Sequence, residues 1–249
     1  MEKITSMHNP RVQAWRSLKS KSGREEQKAF LVEGFKSVEE ALKSSFELLA
    51  LLVREGTPLP AWAGADSAYE IPEHLMAAVC DTKTPQGIAA VMRLKKQRVT
   101  GKRLIALDGV QDPGNVGTII RTADAAGLDG VLLSSQCADP FSPKVLRASM
   151  GSVFHLPLEE TPDLAARLAS LSMPVLASRL DGDPFFQAIR SLPDSWCLII
   201  GNEGNGISES VTRVSTHRVR LPMHGEAESL NAAVAAGIMM YALTNRQDE

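Results

Sequence analysis

Cysteine is scarce in this chain of 249 residues, and its scarcity removes several chemistries at once. Cys80, Cys137 and Cys197 are isolated, odd in number and without CxxC spacing. That excludes a disulfide framework and a thiolate zinc site and fits a reducing, cytoplasmic compartment. The five histidines include no pair at i and i+4, so no metal is expected. No apolar run approaches the roughly 20 residues that span a bilayer. The longest is Ala232 to Leu243, and the opening MEKITSMHNPRVQAW lacks the apolar centre of a signal peptide. Aromatics make up only 5% of the residues, which leaves Trp15, Phe30, Phe35, Phe46, Trp62 and Tyr69 as the few rings a base could stack on in the first ninety, most of them core candidates. A formal net charge of -2 supplies no overall attraction for polyanions, so affinity for nucleic acid has to come from local patches. Also missing is GxGxxG directly after a first strand. Gly201, Gly204 and Gly206 have another spacing and follow a late strand, which weighs against an ordinary dinucleotide-binding fold.

What is present is enough apolar residue, 44%, for two cores of ordinary size. The composition shifts at residues 93–103, where RLKKQRVTGKR holds six basic residues and no acidic one. This divides the chain into a small α/β domain over residues 1–95, a basic linker over 96–103 and a second domain over 104–249. In the first, Phe30 to Ser44 reads as a strand passing through Gly34 into an amphipathic helix, and Leu48 to Val53 and Ile88 to Met92 read as further strands. The segment Arg11 to Lys28 is basic, carrying Arg11, Arg16, Lys19, Lys21, Arg24 and Lys28 against only Glu25 and Glu26. A solvated helix accounts for that composition. So does a face that neutralises phosphates.

Beyond the linker, strands alternate with helices. The expected strands are Leu104 to Val110, Gly130 to Ser134, Val153 to Leu158, Pro174 to Ser178, Cys197 to Gly201 and Arg218 to Leu221. Alternation of this kind indicates a mostly parallel sheet covered by helices on both faces. The stretch Leu104 to Leu133, LIALDGVQDPGNVGTIIRTADAAGLDGVLL, is the most informative. After its first strand, Asp112, Pro113 and Gly114 form a turn cluster and Asn115 stands where a helix N-cap belongs. Val116, Ile119, Ile120, Ala123 and Gly127 share one arc of the helix that follows, and Arg121 projects from the polar side. Taken singly, Asn115 is a cap and Arg121 a surface cation.

Two later segments change that reading: LIIGNEGNGIS at 198–208 and LPMHGEAESLNAAVAAGIMMYAL at 221–243. The three, in this order, resemble the motifs of the SpoU/TrmH family of RNA ribose methyltransferases, whose first motif runs from an acidic-Pro-x-Asn-x-Gly turn to Arg-Thr-Ala. FLVEGFKSVEEAL at 30–42 and TKTPQGIAAV at 82–91 resemble the substrate-binding domain that precedes the catalytic domain in many of its members, similar in fold to small RNA-binding ribosomal proteins. The resemblance implies a catalytic domain with a deep trefoil knot. It also implies S-adenosylmethionine (AdoMet) as cofactor, a ribose 2'-hydroxyl of RNA as acceptor, and a homodimer. For the site it implies catalytic roles for Asn115, Arg121, Glu203, Ser229 and Asn231, with Glu203 ordering Asn115. Cofactor contacts would come from the backbone of Gly201, Leu221 and Leu230, with Pro222 and Met223 shaping the wall. The family often continues its third motif Asn-Val-Ser-Val. This chain has Asn231-Ala232-Ala233-Val234 and lacks that hydroxyl.

From the residues themselves, the amides of the three glycines could approach and read a flat ring, and Ser229 to Asn231 open the last helix. In that helix Leu230, Ala233, Val234, Gly237, Ile238 and Tyr241 form one apolar face, and almost nothing polar interrupts the rest before Thr244, so burial on all sides is expected. RNA contacts are expected at Arg11, Arg16, Lys19, Lys21 and Arg24. Ribosomal RNA is favoured as the substrate, with transfer RNA, base methylation and a non-catalytic RNA-binding protein as the alternatives.

Overall fold

The computed structural model describes residues 1–64 and 67–246. They form two compact units, residues 1–95 with 141–154, and residues 96–140 with 155–246. In the first unit the order is β1 (Glu2–Lys3), α1 (Pro10–Ser17), α2 (Lys21–Gln27), β2 (Ala29–Glu33), α3 (Phe35–Lys43), β3 (Leu48–Arg54), β4 (Ala68–Ile71), α4 (Glu73–Val79) and β5 (Ile88–Arg93). The sheet runs β1-β4-β3-β5-β2, parallel as far as β3 and antiparallel beyond it. Strand alternation sorts its side chains. Ala29, Leu31, Leu52 and Val91 face a core with Val12, Trp15 and Leu18 of the α1 region and Leu75 and Met76 of α4. Phe30 points the other way, its ring 5.4 Å from Phe46 and 4.7 Å from Phe141.

The basic segment is two helices rather than one. Ser20 Oγ accepts from Gly23 N–H and starts α2 afresh. Arg24 is 3% exposed, and its guanidinium donates to the carbonyls of Leu18 at 2.7 Å and Lys19 at 3.1 Å, satisfying the open end of α1. Arg24 is therefore not an RNA contact: its charge is spent on the chain.

The second unit begins with β6 (Arg103–Asp108), α5 (Pro113–Ala125) and β7 (Gly130–Ser134). The excursion into the first unit follows, carrying α6 (Pro143–Ser149). The chain then forms β8 (Leu158–Thr161), α7 (Leu164–Ala169), β9 (Val175–Pro184), α8 (Phe185–Ala188), β10 (Trp196–Gly201), α9 (Glu209–Val214), β11 (His217–Arg220) and α10 (Ala232–Thr244). The six-stranded sheet is parallel throughout, in the order β11-β9-β10-β6-β7-β8. One face packs on α7 and α9 through Leu104, Ala106, Leu168, Ile199 and Val211. Helices α5 and α10 pack against each other, and α10 lies on β10.

Three expectations are corrected here. Val153 to Leu158 is not a strand: Met150 and Gly151 both take positive φ, a short 3-10 turn follows at Ser152–Phe154, and pairing begins only at Leu158. Residues 141–154, expected in the second domain, belong to the first unit, where Phe141 and Phe154 join Phe30 and Phe46. Nor is 96–103 a free linker. Val99 is fully buried in the second unit, in space that only a glycine at 130 leaves open, since a Cβ there would lie 2.7 Å from Val99 Cγ1. Among the described residues no helix is long and apolar enough to cross a membrane.

The same segment is held by a buried ion pair. Glu159 accepts from Val99 N–H at 2.8 Å and from Arg167 Nε at 3.0 Å, and Arg167 Nη2 donates to Val99 O at 2.6 Å. Burial pushes the Glu159 carboxyl up, but Arg167 and Val99 N–H outweigh it and hold it below its ordinary value. Its stabilisation is thus complete above the unfolded-chain pKa and is lost as pH falls through the lower folded value. Glu159→Gln should cost about 3 kcal/mol at pH 7, because it strands the Arg167 charge. In urea titrations that deficit should narrow below about pH 4, as the wild-type carboxylate takes up its proton. A deficit constant from pH 7 to 3 would trace the loss to packing instead of charge.

Candidate active site

In an open parallel sheet, ligands settle beyond the carboxyl ends of the strands where the winding reverses. That point lies between β6 and β10, because from β6 the chain proceeds to β7 on one side while β10 occupies the other. Gly201 and Asp108 end the two strands in register, so the loops 109–112 and 202–208 leave from adjacent points.

The first loop leads into α5. Asp112, not Asn115, is its N-cap: Asp112 Oδ1 accepts from Asn115 N–H at 2.8 Å, and Pro113 fills the first helical position, where a missing N–H costs nothing. Asn115 sits one turn into the helix, which frees its carboxamide for other partners. Its Nδ2 donates to Glu203 Oε1 at 2.9 Å, and its Oδ1 accepts from Asn231 Nδ2 at 3.0 Å. Asn231 caps α10, its Oδ1 accepting from the N–H groups of Ala233 at 2.9 Å and Val234 at 3.3 Å. Three candidate residues, distant in sequence, are thereby joined in one hydrogen-bond chain. Burial pushes the Glu203 carboxyl up. The Asn115 amide and the backbone N–H groups of residues 203, 111 and 112 outweigh it and keep the carboxyl below its ordinary value, so Glu203 is an anion at neutral pH.

The helices α5 and α10 run side by side in the same direction. Asn231 meets Asn115 at their starts, and a Cβ at Gly237 would lie 3.5 Å from Thr122 Cγ2 one to two turns further on. Their positive ends therefore converge on the cleft. Arg121 is exposed on α5, and no hydrogen bond or ion pair to another described residue holds its guanidinium. Ser229 is exposed two residues before the cap and stands outside the chain of Asn115, Glu203 and Asn231.

The loop after β10 is organised by Asn202, which the sequence reading passed over. Its backbone pairs with Gly206 in both directions at 2.9 Å. Its Nδ2 donates to Gly109 O at 2.8 Å and its Oδ1 accepts from Gly204 and Asn205 N–H, both at 2.9 Å. Buried Asp108 completes the hold through Ser208 N–H at 2.7 Å. Gly201 is required by close approach, since a Cβ there would lie 2.4 Å from the Gly206 carbonyl carbon. The amides of Gly204 and Gly206 are consumed within the loop, so the expectation that they read a ligand ring is not met. The signal was available in Asn-x-Gly-Asn-Gly, a sequence rich in side-chain-to-backbone turn formers.

Free main-chain groups lie instead in residues 222–230, where no backbone N–H or C=O bonds another described residue. Leu221 and Met223 are half-buried there and Leu230 is exposed. Apolar side chains interleaved with open backbone donors and acceptors fit a nucleoside cofactor, which needs both a wall and an edge to bond. Among the described residues no group of three or more His, Cys, Asp or Glu is placed to hold a metal ion.

Comparison with known proteins finds matches over both units. Residues 102–241 match the SpoU rRNA Methylase family and residues 9–90 match the MRM3-like substrate binding domain. A Bacillus subtilis protein, 23S rRNA (guanosine(2553)-2'-O)-methyltransferase RlmP, is 40% identical over 98% of this chain and 99% of its own. An RNA methyltransferase of the TrmH family from Porphyromonas gingivalis, described as putative, superposes with a TM-score of 0.83 at 34% identity, covering 94% of this chain and 97% of that one. An AdoMet-bound rRNA methyltransferase from Sinorhizobium meliloti gives 0.82 at 32%, covering 97% of each. With similarity of this extent across both units, the chain belongs to the SpoU rRNA methylase family.

Proposed function

We propose that this protein transfers a methyl group from AdoMet to a ribose 2'-hydroxyl of ribosomal RNA in the cytoplasm, binding the RNA with its first unit and doing the chemistry in its second. The observation that carries the reading is the chain Glu203–Asn115–Asn231 at the carboxyl ends of β6 and β10. The names of the relatives support the cofactor and the class of RNA.

AdoMet, when bound, supplies a methyl group on a sulfonium, already activated for displacement. The half-buried Leu221 and Met223 and the open backbone of 222–230 would hold it, together with Leu230 and the end of β10 at Gly201. What remains for the protein is to align a barely acidic hydroxyl and stabilise the negative charge it develops. Arg121 is the group for that charge. A guanidinium stays protonated and cannot serve as a base, but its planar fork can bond a forming alkoxide and a neighbouring phosphate together, while the hydroxyl proton passes to that phosphate or to water. Glu203 acts through Asn115: its anion fixes the carboxamide, which with Asn231 sets the start of α10 beside the cleft. Ser229, exposed and without a side-chain hydrogen bond to another described residue, is left available to the acceptor ribose.

We extend the proposal to assembly and topology. Burial on one side only distinguishes α10 from the fully buried helix that its composition suggests. Ala233, Ala236, Met239, Met240 and Leu243 are buried, whereas Val234 is 51% and Tyr241 46% exposed, with Leu230 and Ile238 along the same stripe. An apolar stripe of this kind fits a second copy related by twofold symmetry. After β11 at the sheet edge the chain returns to α5 and β10 at the centre, which is the return a threaded trefoil knot requires. Exposed Arg11, Arg16, Lys19 and Lys21 are the RNA contacts that remain after Arg24 is withdrawn.

Calorimetry in chelator should show saturable AdoMet binding by the purified chain, and no binding at millimolar cofactor would sink the assignment. Arg121→Ala should lower methyl transfer to ribosomal RNA by about 100-fold or more, the usual cost of removing one donor to a developing oxyanion. Arg121→Lys should fail too, with AdoMet affinity and folding unchanged in both. Turnover near wild type in either variant would make Arg121 a surface cation only. Val234→Asp should convert the dimer to monomer in sedimentation velocity, and a wild-type chain that sediments as a monomer at micromolar concentration would overturn the assembly.

A further inference from the structure

The first unit contains a hollow of about 220 Å³, open to solvent, between α1, the end of α2 and one face of the sheet. Three alanines on three elements, Ala14, Ala29 and Ala50, converge on it. Folded interiors are close-packed, and larger side chains at any of these positions would fill the space. Instead Ala29 and Ala50 lie in the core and the hollow reaches down to them.

Its remaining walls have the chemistry of a base-binding slot. Trp15 and Tyr69 supply rings with centroids 5.4 Å apart, and Arg11 lies over the Tyr69 ring at 5.0 Å, steadied by two hydrogen bonds of 2.8 Å to the Glu2 carboxylate. Gln27 at the rim offers both a donor and an acceptor, the pair a base edge presents in return. Charge around the opening is positive once internal pairs are removed. Glu2 is occupied by Arg11 and Glu47 by Arg93, whereas Arg16, Lys19 and Lys28, next to lining residues in the chain, form no ion pair with another described residue and outnumber Glu26, the unpaired acid beside Gln27.

Resting on the reading that the first unit holds RNA, we infer that this hollow receives one unpaired base of the RNA, flipped out of its strand, while Arg16, Lys19 and Lys28 bond the flanking phosphates. Aromatic and guanidinium surfaces beside an apolar recess are how unpaired RNA bases are held, and a duplex cannot offer a base to such a slot. The hollow lies wholly within the first unit, so it selects RNA by the presence of a loop or bulge and takes no part in the transfer step.

The test uses the full-length chain. Ala14→Phe, at a half-buried position of α1, fills the hollow, and Gln27→Ala removes the edge contact from an exposed position of α2. The probes are a single-stranded decauridylate and decaadenylate, a blunt RNA duplex of equal length, and ribosomal RNA from cells lacking the gene. AdoMet calorimetry reports that the second unit is intact. Filling the hollow should lower affinity for the single strands and the ribosomal RNA at least tenfold and leave the duplex unaffected. The salt dependence should be unchanged, because no phosphate contact is removed. Arg16→Ala with Lys19→Ala should instead flatten the log-log salt slope by about 0.7 per contact. Gln27→Ala should weaken single-strand binding several-fold, and it decides the matter should Ala14→Phe fail to fold. Affinity within twofold of wild type in the folded variants would overturn the base slot and leave AdoMet-dependent methylation standing. A wild-type chain that binds AdoMet but none of these RNAs would overturn both the slot and the RNA-holding role of the first unit.

Discussion

A carboxamide can face either way, and the start of α10 decides the orientation of two of them here. The first N–H groups of that helix need an acceptor, so Asn231 must present its oxygen to Ala233 and Val234. Its nitrogen is then forced outward toward Asn115, which must accept with its own oxygen and donate with its nitrogen. The next partner has to be an acceptor, and Glu203 is one on both oxygens, taking Asn115 on one and Gln111 N–H on the other. Polarity thus runs one way from a helix cap to an anion. Because Asn115 is in α5, Glu203 follows β10 and Asn231 begins α10, the same chain fixes the relation of three elements around the cleft.

That arrangement depends in turn on a loop with little freedom. Were residues 202–208 mobile, Glu203 could not hold Asn115 in one orientation. Asn202 closes the loop on itself and ties it to Gly109, and Asp108 ties it again from the end of β6. Both anchors are adjacent to the register match of Gly201 with Asp108, the last pair of the central strands. The order of causes runs from strand pairing, to the loop, to a carboxylate, to two amides. A disturbance in the ladder between β6 and β10 therefore reaches the site without touching a ligand.

The central strands were legible because a strand buried on both faces is an apolar run, and Leu104, Gly130 and Cys197 open or lie within such runs. The candidate site residues could be named only through three motifs in order. Their local geometry was not: Asn115 looks like a cap until Pro113 is given its due, since a proline prefers the first helical position and so assigns the cap to Asp112. Arg24 shows why a basic composition cannot be equated with a basic surface, for a guanidinium has donors enough to close a helix end from inside the fold. β4 and α4 escaped because the strand is four residues long and the helix seven, too short for periodicity to declare itself. The excursion of residues 141–154 into the first unit is a property of packing, and nothing local in that segment announces it.

The last helix shows one composition meeting two demands. Small residues let α10 lie close to α5, where Gly237 faces Thr122 and Ala236 is fully buried, and that closeness brings Asn231 within reach of Asn115. Ala233, where the family often carries a hydroxyl, is 6% exposed and gives its N–H to Asn231, so the missing hydroxyl leaves the cap intact. The opposite side is apolar as well, yet in the single chain it faces water through Val234, Ile238 and Tyr241. Apolar area left in water on a rigid helix is favourable to bury, and a partner seated there would damp fraying of the first turn. The first turn is where Asn231 caps the helix and orders the site. Under the proposed assembly, the second copy and the candidate site would share a physical element, because the helix start that sets the direction of the hydrogen-bond chain also begins the surface that copy would cover.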